Sequence, residues 1–240
     1  FQKAINYPYN SPKGPFTFKK GKLFKGVHLS LKSRIPIVSI GSNRSPYQLK
    51  NKFGLNEDLC TIPVTLYNSD IVYAASISNY GSIPATQWPV HGVISKLNLL
   101  WLNEKQLKKM HLSEGLGIAY DFVELDRQTI KIKNLDYSGP IFAYISTRGV
   151  FGFDINMPIR VEKIMSFNSN LFSLNEKNAL KKLKSIELEH SINFKSWLHK
   201  LILDKGVRFK IIEKMSKRSI FPKKAPWKIL NVDVIGKKIY

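Results

Sequence analysis

The sequence predicts an α+β fold, a mixed β-sheet or small barrel with flanking helices, continued by a helical C-terminal extension. Three observations predict it. Between residues 35 and 165, short runs of β-branched and aromatic residues alternate with Gly, Pro, Asn and Ser, the pattern of strands and turns. Two helix starts interrupt them, at Ser45-Pro46 and at Asn103 with Gln106 three residues on. Beyond Ser166 the apolar residues take helical spacing. The 240 residues, 43% hydrophobic, suffice to bury a real core. They divide into a basic N-terminal arm (1–34), the α+β domain (35–165) and a basic helical extension (166–240).

Residues 1–34 scatter Pro8, Pro12, Gly14, Pro15, Gly21 and Gly26 among aromatics and lysines, which argues for an extended arm. Residues 35–40 form an apolar run stopping at Gly41, as a central strand would. Ser45 then caps a helix, Pro46 takes its first position, and Gly54 ends it after Phe53. Strands follow at 61–67 and 70–78, with a turn-rich loop at 78–82. Pro84 and Pro89 keep the next stretch irregular before a strand at 92–101. Asn103 opens a helix that buries Leu107 and Met110 and stops at Gly115. Strands are expected at 120–125 and 129–133, as a hairpin, then at 140–145 and 160–165. Helices are expected at 175–189, 194–203 and 207–215, and a last strand at 229–235.

Charge is distributed unevenly. The net +21 divides into +11 over residues 1–56, −1 over 57–170 and +11 over 171–240. Any surface for nucleic acid or another anionic partner therefore belongs to the ends. Phe16, Phe18 and Phe24, set among Lys19, Lys20, Lys22 and Lys25, are the best place for base stacking. The lone Cys60 rules out an internal disulfide and a cysteine-rich zinc site. His28, His91, His190 and His199 have no metal-ligand spacing, and neither a P-loop nor a nucleophile elbow occurs. No apolar run nears the roughly 18 residues of a membrane helix. No signal peptide is visible, and a reducing, cytoplasmic setting is expected.

Two short motifs carry chemistry. In the first, a buried strand runs through Ile40, Gly41, Ser42, Asn43 and Arg44 into a helix start. Such a turn gathers free backbone amides that hold a carboxylate or an oxyanion. Gly41 permits close approach of a ligand, Asn43 adds an amide, and Arg44 offers a bidentate carboxylate clamp. In the second, Met110-His111-Leu112-Ser113-Glu114-Gly115 ends a helix on an acid. The negative end of the helix dipole disfavours charge there, the bias a general base working near neutrality needs. His111 has the spacing to share a helix face with Glu114. Trp88, Trp101, Trp197 and Trp227 are expected in the core or at domain contacts.

Taken together, strand-Gly-Ser-Asn, the strand Gly92-Val93-Ile94, the helix ending Glu114-Gly115 and the following Tyr120 resemble the gamma-glutamylcyclotransferase family. The resemblance spans about residues 35–145. It implies intramolecular aminolysis: the free α-amine of a small γ-glutamyl compound attacks its own γ-carbonyl, giving 5-oxoproline and releasing an amino acid or amine. Ile40, Gly41, Ser42, Asn43 and Arg44 would hold the glutamyl group. Glu114 would act as general acid and base, and Tyr120 would bind substrate or orient Glu114. No metal or cofactor is implied. The chain departs from the family pattern at Ile40, where a tyrosine is usual, and at Arg44, where an apolar residue is usual. One rival reading is a binding module of the same fold that uses its basic ends on nucleic acid or anionic surfaces. Another is a different amide- or ester-processing enzyme using the same pocket.

Overall fold

The computed structural model describes residues 1–153, 157–186 and 192–230. A short helix α1 (Gln2–Ile5) comes first. Strands β1 (Phe16–Lys19) and β2 (Lys22–Lys25) follow as a hairpin. This replaces the irregular arm expected from the Pro and Gly content. Lys20 and Gly21 both adopt positive φ, the turn whose twist suits a two-residue hairpin. Strand β3 (Ile35–Ser39) leads through a 3-10 turn, Ser42–Arg44, into α2 (Pro46–Phe53). Pro46 opens that helix and Gly54 closes it, but Ser45 makes no side-chain cap.

Two long strands dominate the molecule, β4 (Leu59–Tyr73) and β5 (Ala85–Leu102). The strands expected at 61–67 and 70–78 merge into one strand, irregular between Tyr67 and Ser69, that stops at Tyr73. β5 likewise runs through Pro89, which pairs opposite Ser69 at that irregularity. A proline without an N–H is tolerated in a strand where the ladder is already broken. Asn68, at positive φ, accepts from the Gly92 N–H at 2.9 Å and fixes the bend.

Helix α3 (Glu104–Glu114) follows, then β6 (Tyr120–Leu125), β7 (Ile130–Ile132) and β8 (Phe142–Ser146). β6 does not pair with β7 as expected; it pairs with β8, and β7 pairs with β4. The reason is burial: Ile130 and Ile132 sit beside Leu66 and Val64. Short strands β9 (Val150–Phe151), β10 (Arg160–Val161), β11 (Ser166–Phe167) and β12 (Ser173–Leu174) lead to helices α4 (Glu176–Ile186), α5 (Phe194–Leu203) and α6 (Lys205–Lys217). Strands β13 (Ser219–Ile220) and β14 (Trp227–Ile229) come last. The helix expected at 175–189 and the strand expected at 229–235 both extend beyond the described residues.

The result is a mixed α+β molecule with a large, mostly antiparallel sheet whose main path is β12-β10-β4-β5-β3-β8-β6-β14. It is open among the described residues, so the small-barrel alternative is corrected: β12 and β14 end the path without meeting. β1 pairs with β4, joining the N-terminal hairpin to the sheet. Strand alternation distributes the core. Ile37, Leu100 and Leu102 join Phe16, Phe18, Leu49, Phe53 and Met110 in one buried cluster. Val38, Leu97, Leu99 and Trp101 belong to another, with Leu180, Leu183, Trp197, Leu198 and Ile211 from α4–α6. The C-terminal helices thus share the core of the sheet. Trp101 and Trp197 are core residues, whereas Trp88 and Trp227 are half-buried. No described helix is long and apolar enough to cross a membrane.

Candidate active site

β3 lies between β5 and β8, so its C-terminal end opens at the centre of the sheet. Ile40 is buried there, and the chain turns through Gly41 into Ser42 and Asn43. The first N–H groups of such a turn have no intrahelical partner. α3 arrives from the other side. Its start is locked by a capping box: Asn103 Oδ1 accepts from the Gln106 N–H at 2.9 Å, and Gln106 Oε1 accepts from the Asn103 N–H at 3.1 Å. Gly115, in the left-handed region at φ 62°, ends it and leaves Glu114 on the last turn. Buried Met110 anchors the helix one turn earlier.

A cavity of about 400 Å³ opens between these two ends. Ile40, Gly41, Ser42, Asn43, Glu114 and Tyr120 all lie on its wall, with the loop residues Ser78, Asn79 and Tyr80. Across 71 residues of sequence, Asn43 Nδ2 donates to Glu114 Oε1 at 2.9 Å. Lys52, reaching in from α2, forms a hydrogen-bonded ion pair with the same oxygen. Its ammonium also lies 3.2 Å from Met110 Sδ. The two side chains of the pair are only 8% and 14% exposed. Both contacts fall on Oε1; Oε2 takes none among the described residues. The charge of Glu114 is therefore balanced by a lysine, and the helix end is not its only electrostatic neighbour.

Arg44 is the exception among the predicted residues. It is not on the cavity wall, and its Nε donates to Asn98 Oδ1 at 3.2 Å. Burial brings its pKa down to about 10. The expected carboxylate clamp is thus corrected, because the guanidinium lies off the cavity wall with its Nε on Asn98 of β5. His111 is also turned away from Glu114's cavity. It meets Tyr144 Oη through Nδ1 at 2.8 Å and packs edge-on against Phe122, and burial lowers its pKa.

Gly41 has a different neighbour from the ligand expected of it. A Cβ there would lie 2.1 Å from the hydroxyl of Tyr7, a residue of the N-terminal segment. Tyr7 Oη accepts from the Ala85 N–H at 2.8 Å, and Tyr7 itself lines the cavity. Tyr80, Tyr120 and Tyr144 complete a phenolic wall. Burial raises the pKa of all four tyrosines, and the Glu114 charge adds to the effect at Tyr80, Tyr120 and Tyr144. Hydrogen bonds to Ser42 and Ser82 oppose it at Tyr80. These hydroxyls remain neutral donors. Two of the lining residues, Asn43 and Gln48, keep a buried acceptor, Oδ1 and Oε1, without a hydrogen-bond partner among the described residues.

Sequence reasoning missed Lys52, Gln48, Tyr7 and Tyr144. Lys52 had a signal, since it lies between the buried Leu49 and Phe53 on α2, a place unsuited to a free cation. Tyr7 had none, being 78 residues from the strand residue it contacts. Among the described residues, no group of three metal-ligating side chains occurs.

No family model matches the chain, and no curated protein matches it. Among solved structures, it is similar to one described as a gamma-glutamyl cyclotransferase, with 12% identity and a TM-score of 0.40. The match covers 78% of this chain and 99% of that one. So loose a likeness leaves function to be read from the cavity.

Proposed function

We propose that the cavity catalyses intramolecular aminolysis of a small γ-glutamyl compound, releasing 5-oxoproline, with Glu114 as general acid and base. One observation carries the reading: the Glu114 carboxylate and the Gly41-Ser42-Asn43 turn, far apart in sequence, meet through the Asn43–Glu114 hydrogen bond on the wall of one polar cavity. The motif resemblance supports the reaction type. The cavity volume lies within the ~300–1,000 Å³ range of small-molecule sites.

The residues divide the work. Asn43 Oδ1 and Gln48 Oε1 are acceptors for the substrate's α-ammonium. The hydroxyls of Tyr7, Tyr80 and Tyr120 and the amides of the turn are donors for its carboxylate. Lys52 and Asn43 hold Glu114 by Oε1, leaving Oε2 to accept a proton from the ammonium. The freed amine forms a C–N bond to the γ-carbonyl carbon, closing a five-membered ring. The bond to the leaving nitrogen then breaks as Glu114 returns the proton to it, and the ring nitrogen gives its second proton to the carboxylate so freed, leaving the neutral lactam. One carboxylate serves these transfers because they are sequential. The tethered nucleophile makes positioning a large part of the acceleration.

The test is 5-oxoproline release from a mixture of γ-glutamyl amino acids and amines, native chain against Glu114→Gln. Removing a general base typically lowers the rate ~10²–10⁴-fold, and a fall of that order is expected with the fold unchanged. Equal release by the two chains would remove Glu114 from the mechanism. Release of a different acid or amide product would establish another amide-processing reaction in the same cavity.

A further inference from the structure

A second cavity, of about 250 Å³, uses the other face of the same strands. Neighbouring residues divide between the two: Ala85, Tyr120 and Tyr144 line the first, and Thr86, Asp121 and Ile145 line the second. The strand's period of two sends successive side chains to opposite faces. Phe221, Pro222, Ala225, Trp227 and Ile229 supply the part of its wall that comes from the C-terminal segment. That segment is held by the pairing of β13 with β9 and of β14 with β6.

The chemistry of this cavity is one-sided. Among the described residues no Lys or Arg lines it, although the chain carries a net charge of +21. Asp121 lines it with a carboxylate that has no hydrogen bond or ion pair among the described residues, and burial raises its pKa. Gln87, 2% exposed, donates Nε2 to Ser69 Oγ at 2.8 Å and keeps Oε1 buried without a partner among the described residues. Trp88, Trp227 and Phe221 add aromatic rings. A partly desolvated carboxylate and an orphaned amide oxygen are both relieved by a donor cation. Aromatic faces attract the same charge through their quadrupoles.

We propose that this cavity binds a small organic ammonium ion, its nitrogen against Asp121 and its apolar body among Trp88, Phe221 and Trp227. The volume falls below the ~300–1,000 Å³ that takes drug-sized ligands, so the occupant is a small amine. The inference is independent of the reaction proposed for the first cavity.

The experiment is calorimetric titration of the whole chain at neutral pH with phenethylamine, and with 2-phenylethanol as its neutral twin. The expected result is one saturable site preferring the amine by about tenfold or more. That preference should persist in Glu114→Gln and disappear in Asp121→Asn, with thermal unfolding used to verify both folds. Equal affinity for amine and alcohol in the native chain would overturn the proposal without recourse to any variant. So would amine binding that survives Asp121→Asn, or that vanishes in Glu114→Gln, which would place the amine in the first cavity.

Discussion

Gly41 and Tyr7 show how a single residue can serve packing and site at once. The space where a Cβ would stand is taken by the Tyr7 hydroxyl, with Tyr7 Cζ at 3.2 Å. Gly41→Ala must therefore displace Tyr7, which costs the Ala85 N–H its partner and removes one hydroxyl from the cavity wall. An orphaned buried donor costs about 1–3 kcal/mol, so Gly41→Ala should destabilise by at least that much and depress turnover. Tyr7→Phe alone should cost a similar amount. The double variant, in which the clashing oxygen is gone, should be more stable than the sum of the two predicts. Denaturant titration of the four chains measures this coupling; strict additivity would mean that Tyr7 does not occupy that space in solution. Lys52 makes a related point. Next to Glu114 and Met110 it is a buried cation whose partner is the proposed base, so the site's charge balance is part of the core's. Breaking such a pair leaves an uncompensated buried charge.

Helix ends were legible in the sequence because their signals are local. Asn103 with Gln106, Gly115, Pro46 and Gly54 each act within a turn of the residue concerned, and each stands where its chemistry requires. What an element touches is not local. Glu176 opens α4 and looks there like a solvated acid favoured by the helix dipole. It is instead 1% exposed, with Oε1 accepting from the Ile83 N–H at 2.7 Å across 93 residues of sequence. Burial raises its pKa well above the ordinary carboxylate value, against the opposing effects of the Ile83 N–H and Lys163. The unfolded chain releases that proton near pH ~4.3, whereas the folded chain keeps it. The stability tied to this group is thus complete below pH ~4.3 and falls as pH rises toward the folded value. Glu176→Gln keeps the acceptor for Ile83 and has no proton to lose. Its urea midpoint should gain on the native chain's progressively as pH rises above ~4.3. Parallel curves over that range would show that Glu176 ionises as freely in the fold as out of it.

At the scale of the molecule, the order of strands and the closure of the sheet were not legible. Closure depends on strand number, tilt and register, and short apolar runs carry none of these. The same limit applied to the basic ends. Phe16 and Phe18, placed by sequence among stacking candidates, are 1% and 4% exposed because β1 pairs with β4. Phe24, at 42%, remains among the lysines of the hairpin, beside Leu23 at 50%. The hairpin thus keeps its cations and loses most of its aromatic platform, so any hold on single-stranded nucleic acid should rest on phosphate contacts. For a single strand, log K then falls with log salt with a slope of about −0.7 per phosphate neutralised. An oligo-dT strand and a base-free polyphosphate of equal charge should bind the chain alike at low salt, and both should be lost as salt rises. Base stacking would add ~1–3 kcal/mol per base to the oligonucleotide alone, and a strong preference for it would reveal an aromatic surface elsewhere. Among the described residues, the cavity takes no wall residue from the basic C-terminal stretch, and the one lysine it takes from the basic N-terminal stretch, Lys52, is already paired with Glu114. The proposed release of 5-oxoproline should therefore continue unchanged at an oligonucleotide concentration that saturates any binding by the basic ends. Inhibition under those conditions would mean that an anion on the surface reaches the Lys52–Glu114 pair, and that the two activities are coupled.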